Sequence, residues 1–429
     1  MEWQIDNRPA FRGLGTGKYR EMLAGVKTPC YIIDEAALRR NGEILASLTR
    51  ETGCKVLLAQ KAFSNYDLYP MLSEYLTGTE ASGLYEARLG AEEMPGKEVH
   101  IFSAAYRDDE FEDILRYADH IVFNSPSQLK RYGYRAKECG KSIGLRINPE
   151  CQTQEGHEIY DPCAAGSRLG TTRAVWDKYM TEELVELLDG LHFHTLCEQN
   201  ADALATTMKA VEEGYGDVLP RMKWLNMGGG HHITRDDYDI DSLKMTINYA
   251  KSKWNLEIYV EPGEAVALNA GYLATRVLDI VENGSTRIGI LDVSAACHMP
   301  DVIEMPYTPP LYGAEVTKTD SIDTDSINVD EATGNGAIGR HIYRLAGPTC
   351  LAGDVIGDYR FHHELQVGDM LLFGDMAIYS TCKNNTFNGM ALPSILKRCE
   401  NGSLQVLAEF GYGDFKMRLG SPQKSKLQK

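Results

Sequence analysis

Lys55-Val56-Leu57-Leu58-Ala59-Gln60-Lys61 is an apolar run closed at both ends by lysine. Its apolar residues are consecutive rather than alternating, so it reads as a strand buried on both faces, the pattern of a parallel sheet covered by helices. Seven further runs of this kind follow, at 78–81, 99–102, 120–123, 143–147, 191–194, 223–226 and 257–260. Amphipathic stretches lie among them, at 67–75, 85–93, 108–117, 127–138, 181–188, 201–214 and 241–254. Eight β/α units in about 210 residues predict an α/β fold, a TIM-like (β/α)8 barrel, with an open doubly wound sheet as the alternative.

After residue 270 the rhythm changes. Alternating runs at 272–281, 286–292, 340–346, 370–373 and 404–409 are separated by Gly, Pro and Asn. They predict a C-terminal all-β domain. The expected division is a barrel over 30–270 and a β-domain over 271–420, with 1–29 packing on the latter. The stretch 317–339, rich in Asp, Ser, Thr and Gly, reads as a surface insertion.

Composition narrows the function. With 24% charged and 43% hydrophobic residues, the chain has the make-up of a soluble globular protein. A formal charge of −17 argues against nucleic acid or an anionic membrane and favours a cationic small molecule. Met1-Glu2-Trp3-Gln4-Ile5-Asp6 lacks the basic and apolar regions of a signal peptide, and no run is long enough to span a bilayer. The ten cysteines show no Cys-x-x-Cys spacing, so they read as reduced thiols of a cytoplasmic enzyme.

In a barrel, chemistry sits at the carboxyl ends of the strands. Lys61 closes the first strand, where burial lowers an amine's pKa and frees it to form a Schiff base. Ser82 follows the second, Arg146 lies in the fifth, and His192 and His194 close the sixth. Gly228, Gly229 and Gly230 follow the seventh and offer backbone N–H groups to an anion such as phosphate. Glu261 closes the eighth and could hold a pyridine nitrogen protonated. The plainer readings are a solvated lysine, a tight turn and a salt-bridge acid.

Taken in order, Lys61, His194, the three glycines, Glu261-Pro262-Gly263, Gly347-Pro348-Thr349-Cys350 and Tyr379 resemble the motifs of the alanine-racemase-like, pyridoxal-phosphate-dependent decarboxylases. The segments at 190–198, 227–232, 261–264 and 298–307 most resemble the branch acting on carboxynorspermidine and carboxyspermidine. The resemblance implies pyridoxal 5'-phosphate as cofactor, with Lys61 as its covalent anchor and His194 stacked on its ring. It further implies Cys197, Gly228, Gly229, Gly230 and Tyr379 near the phosphate and Glu261 at the ring nitrogen. It implies Cys350 as a catalytic acid that enters, with Asp354, from the neighbouring subunit of a homodimer. The chain departs from its wider relatives at Glu264, where ornithine and diaminopimelate decarboxylases resemble each other in having an arginine that helps hold phosphate. An acid there suits a cationic polyamine tail, so Glu264 and Asp301, with Glu304 third, are the expected tail contacts and Asp354 a further substrate contact. Three rivals stand beside this reading. They are a sister decarboxylase for diaminopimelate or a basic amino acid, a non-catalytic regulator, and a metal-dependent hydrolase using His192 with His194, His231 with His232, or Cys297 with His298.

Overall fold

The computed structural model describes residues 8–12, 14, 16–154, 160–317 and 341–420. Apart from Thr317, the stretch read as a surface insertion lies outside the described residues. The chain forms two compact units, Leu38–Leu268 and the pair of segments Met1–Ala37 and Asn269–Lys429. The strand β1 (Cys30–Asp34) belongs to the second of these, because it pairs antiparallel with 271–274 and parallel with 394–398. The division therefore falls after Ala37 rather than at residue 30.

The unit Leu38–Leu268 is a closed barrel of eight parallel strands. They are β2 (Lys55–Ala59), β3 (Gly78–Ala81), β4 (Glu98–Phe102), β5 (His120–Phe123), β6 (Ser142–Arg146), β7 (Gly190–His192), β8 (Trp224–Asn226) and β9 (Glu257–Val260). Closure comes from β9 pairing with β2, Lys55 opposite Tyr259 and Val56 opposite Val260. The connecting helices follow their sequence signals. Asp108–Tyr117 begins with three acids, which suit the positive end of a helix dipole, and buries Phe111, Ile114 and Leu115 along one stripe. Pro126–Glu138 starts on Ser125, whose hydroxyl accepts from Gln128 N, with proline at its first position.

The barrel interior is filled by Leu57, Val122, Trp224 and Tyr259. Trp224 needs room that only glycine gives. A Cβ on Gly144 would lie 2.4 Å from its ring, and one on Gly190 2.0 Å. Toward the amino ends of the strands the filling turns polar. Lys55 Nζ lies 2.6 Å from Glu98 and 3.0 Å from Glu257, Tyr259 Oη lies 2.8 Å from Glu257 and 3.1 Å from Glu98, within reach to donate to either, and the rings of His100 and His120 stack 3.9 Å apart.

The other unit holds a nine-stranded sheet. It contains β10 (Gly271–Asn283), β11 (Thr286–Leu291), β12 (Ala314–Thr317), β13 (His341–Ala346), β14 (Val355–Phe361), β15 (Met370–Gly374), β16 (Ser394–Arg398) and β17 (Leu404–Ala408), together with β1. The long β10 serves two neighbourhoods. Its first half pairs with β1 and β15, and after an irregularity between Val277 and Asp279 it pairs with β11. Ala10, Phe11, Leu14, Met22 and Leu23 pack with Cys30, Ile32, Tyr272 and Leu372, so this core draws on both ends of the chain. No helix among the described residues is long and apolar enough to cross a membrane.

Candidate active site

The carboxyl ends of the barrel strands gather a set of buried polar groups that a packed core does not need. Glu261, directly after β9, is 5% exposed. Its Oε1 accepts from Asn226 Nδ2 at 2.5 Å, and its Oε2 meets His192 Nε2 at 3.1 Å. Burial works against its charge, but His192 and Asn226 outweigh that and hold the carboxyl below its ordinary range. Burial also keeps His192 neutral, so it meets Glu261 as an N–H donor.

Glu80, the third residue of β3, takes the opposite state. Burial first, and the neighbouring Glu261 second, push its carboxyl well above the usual range against the pull of Lys61 and Arg146. Two buried acids in one barrel mouth are thus driven apart, one charged and one protonated. Arg146 is buried, with Nη2 donating to His194 O at 3.0 Å and the guanidinium 4.5 Å above the Phe102 ring. Burial lowers it to about 10, still charged at neutral pH. Lys61 is half-buried, and its charge acts on Glu80, Glu86, His192 and His194.

His194 Nδ1 accepts from Gly229 N at 3.0 Å. Burial, then Lys61 and Arg146, push the ring well below its ordinary range, so it presents a flat neutral face. The Gly-rich turn packs too tightly for any side chain. A Cβ on Gly228 would lie 2.3 Å from Phe193 O, one on Gly229 2.3 Å from Glu261 O, and one on Gly230 2.1 Å from Leu196 O. Gly228 and Gly230 also have φ of +70° and +79°, the region that glycine adopts without cost. Cys197 lies on the same approach, half-buried, its carbonyl accepting from Gln154 Nε2. An amine at a strand end, a neutral imidazole, a glycine-lined turn and an ionised buried carboxylate together fit a phosphorylated aromatic aldehyde with a basic ring nitrogen.

Of the remaining expected residues, Cys350, Asp354, Asp301, Glu304 and Tyr379 belong to the sheet unit and Glu264 to the barrel unit. Asp354 is 3% exposed and spent on its own loop. Its oxygens accept from Ser294 Oγ at 3.0 Å and from Thr349 Oγ1 at 2.6 Å, and a Cβ on Gly347 would come within 2.2 Å of it. These bonds fix the turn that carries Cys350. Cys350 is exposed, its backbone N–H held by Asn388 Oδ1 at 2.7 Å. Asp301 and Glu304 both hold Lys383, and in the barrel Glu264 meets His232 Nε2 at 2.6 Å, so none of the three is an unpaired carboxylate. Lys383 also lies 5.9 Å from the Tyr379 ring, and Tyr379 has a φ of +45°.

The histidine pairs of the hydrolase reading do not form a metal set. His298 accepts from Ser294 N at Nδ1 and faces Ala391 O at Nε2, and His192 and His194 are engaged as described. The group of metal-type side chains that does converge is Glu98, His100 and His120, at the amino ends of the strands. There Lys55 occupies Glu98, and the parallel stack of the rings, 10° between planes, keeps their lone pairs from meeting at one ion. Glu80 and Asn226 went unread in the sequence. An acid inside the short run Gly78-Thr79-Glu80-Ala81 was the available sign.

Comparison with known proteins agrees with this geometry. Residues 30–377 match the model of the family described as pyridoxal-dependent decarboxylase, C-terminal sheet domain. The chain is 40% identical to a carboxynorspermidine/carboxyspermidine decarboxylase of Campylobacter jejuni, over 92% of this chain and 98% of that one. It is 38% identical to a carboxyaminopropylagmatine decarboxylase of Synechocystis, over 93% and 97%. The crystal structure of the carboxynorspermidine decarboxylase of Campylobacter jejuni complexed with norspermidine superposes with a TM-score of 0.80 at 39% identity, covering 92% of this chain and 100% of that one.

Proposed function

The chain belongs to the pyridoxal-dependent decarboxylases, and we propose that it is a carboxy-lyase releasing CO2 from carboxynorspermidine or carboxyspermidine. The observation that carries the chemistry is Glu261, a buried carboxylate kept charged by His192 and Asn226 in the mouth of the barrel. The similarity to the Campylobacter jejuni enzyme supports the substrate. Pyridoxal 5'-phosphate, when bound, supplies an electron sink for the pair left as the bond to the carboxylate carbon breaks.

The chain's own residues supply the rest. Lys61 would hold the cofactor through its amine. His194 lies against the ring as a neutral plate, and its Nδ1 is fixed by Gly229 N. Gly228, Gly229 and Gly230 would hold the phosphate, with Cys197 beside them, and Tyr379 is a further candidate for it. Glu261 faces the ring nitrogen and keeps a proton there. Cys350 returns a proton to the carbon that lost CO2, serving the site of a second copy in a homodimer. Its exposure beside exposed Leu351 and Phe387 supports a covered interface. All ten cysteines are free thiols, in keeping with a cytoplasmic enzyme.

Carboxyaminopropylagmatine is a second reading of the same site, favoured by the near-equal identity to the Synechocystis enzyme. A CO2-release assay on carboxynorspermidine, carboxyspermidine, carboxyaminopropylagmatine, diaminopimelate, ornithine and arginine decides. The first two should be turned over with the highest kcat/KM. The two differ by one methylene, which pockets distinguish by only about 1–3 kcal/mol. A preference for diaminopimelate or ornithine would overturn the substrate assignment.

A further inference from the structure

Glu264 presents a problem for any anion bound at the glycine turn. It carries a negative charge on the segment that follows Glu261, and Glu261 N donates to Gly228 O at 2.8 Å, so the two segments are tied together. The backbone N–H groups of Gly230 and Gly263 find no acceptor among the described residues. A cradle of N–H groups beside a bare carboxylate would repel what it is built to hold.

The structure answers the conflict with His232, four residues beyond Gly228. Its Nε2 lies 2.6 Å from Glu264 Oε2, and the residue is 8% exposed. Burial opposes its charge, but Glu264 outweighs burial and raises the ring above the ordinary histidine range. The adjacent His231 behaves in the opposite way, since burial lowers it to about 4 and leaves it neutral. Of two consecutive histidines, only the second is drawn toward its protonated form. Its Nε2 is taken by Glu264, and that is the one side-chain hydrogen bond His232 makes among the described residues, which leaves Nδ1 to a ligand. A carboxylate on one nitrogen fixes a ring's orientation and makes the other N–H a directed donor.

We propose that His232 binds the cofactor's phosphate through Nδ1–H, and that Glu264 is a positioning residue that orients His232 instead of a contact for the substrate. The proposal rests on the cofactor reading above and deepens it. The pair supplies a charge-assisted donor where a lone Glu264 would supply only repulsion.

Cofactor-free full-length chain, titrated with pyridoxal 5'-phosphate and separately with pyridoxal, tests this through the two dissociation constants. Tm is recorded for each variant to verify folding. His232→Gln should raise the Kd for pyridoxal 5'-phosphate by about thirty-fold or more, because it removes the donor and strands Glu264 beside the phosphate. The Kd for pyridoxal, which lacks the phosphate, should stay within about two-fold of wild type. Glu264→Gln should weaken pyridoxal 5'-phosphate binding in the wild-type background yet strengthen it in the His232→Gln background. That change of sign is the signature of a pair, and it survives even if one single variant folds poorly. Equal losses for both ligands, or tighter binding of pyridoxal 5'-phosphate by Glu264→Gln alone, would overturn the proposal and leave the cofactor reading intact. A wild-type chain that binds neither ligand would overturn both.

Discussion

Asn226 is the side chain through which the charge of Glu261 can be tested without touching the cofactor. It is fully buried, with Nδ2 donating to Glu261 Oε1 at 2.5 Å and Oδ1 accepting from Gly228 N at 2.9 Å. Leucine keeps the γ-branched outline of asparagine without its polar atoms, so Asn226→Leu removes both bonds at the cost of some added bulk. A hydrogen bond to a charged group contributes about 1.5–3 kcal/mol, and 1.36 kcal/mol corresponds to one pH unit. The acid limb of the kcat/KM profile, where Glu261 takes a proton, should therefore move up by about one to two pH units. The sign follows from the native state. Glu261 is held below its ordinary range, so its charged form and the stability it adds persist above the unfolded value and fade as pH falls through the folded one. At pH 8 the variant should remain ionised and lose little activity, and its deficit against wild type should widen as pH falls. The orphaned Gly228 N–H should cost a further 1–3 kcal/mol or so, visible as a lower Tm. The assay is initial-rate CO2 release across pH 5–9 on carboxynorspermidine, with unfolding followed in parallel. An acid limb unmoved within 0.3 unit or so, given the 1.5–3 kcal/mol above, would refute the argument that Asn226 sets the state of Glu261.

The other expectations are briefer. Lys61→Ala should leave no cofactor fixed to the protein after borohydride reduction and almost no turnover, and colour with full activity would remove Lys61 from its role. Lys61→Ala and Cys350→Ala chains, each inactive alone, should regain roughly a quarter of wild-type activity when mixed equally under subunit exchange, since half of the dimers then carry one intact site. No recovery, with exchange shown independently, would count against a shared site. Asp354→Ala should lower Tm and kcat together by freeing the loop of Cys350, whereas a substrate ligand would chiefly raise KM. Glu98 is held at about 2, burial opposing and the His100 and Lys55 contacts prevailing. Its roughly 1–3 kcal/mol of stability, present above its unfolded value, should disappear as pH falls toward 2, and Glu98→Gln should lower Tm at pH 7 but not at pH 2.

The barrel was legible because most of its strands are buried along their length and recur as short β-branched or apolar runs among amphipathic stretches. The strands of the sheet unit are shorter on signal. β14 mixes buried and half-exposed positions and carries Asp358 and Arg360, which hid it, and β1 precedes a barrel that it does not join. Within the site, Lys61, His194, the three glycines and Glu261 could be found because they end strands. Glu80 and Asn226 sit inside strands too short to show a pattern. The pairing of Glu264 with His232, and of Asp301 and Glu304 with Lys383, joins positions 32, 82 and 79 residues apart, which no local reading of sequence reports. Asp354 reads as a substrate contact because it follows Cys350 closely, and its bond to Ser294, 60 positions away, leaves no mark on the local sequence.

Trp224 and the two glycines beneath it bind three positions into one historical unit. A lineage that first gained alanine at 190 would drive a methyl group to within 2.0 Å of the indole, and alanine at 144 would come within 2.4 Å. One that first exchanged the indole for a small side chain would open a void costing about 3–5 kcal/mol, a large share of a domain's margin. Neither order offers a neutral first step. Descendants of this barrel should therefore keep all three residues or replace them together, and an engineer seeking a wider interior should change them in a single construction rather than one at a time.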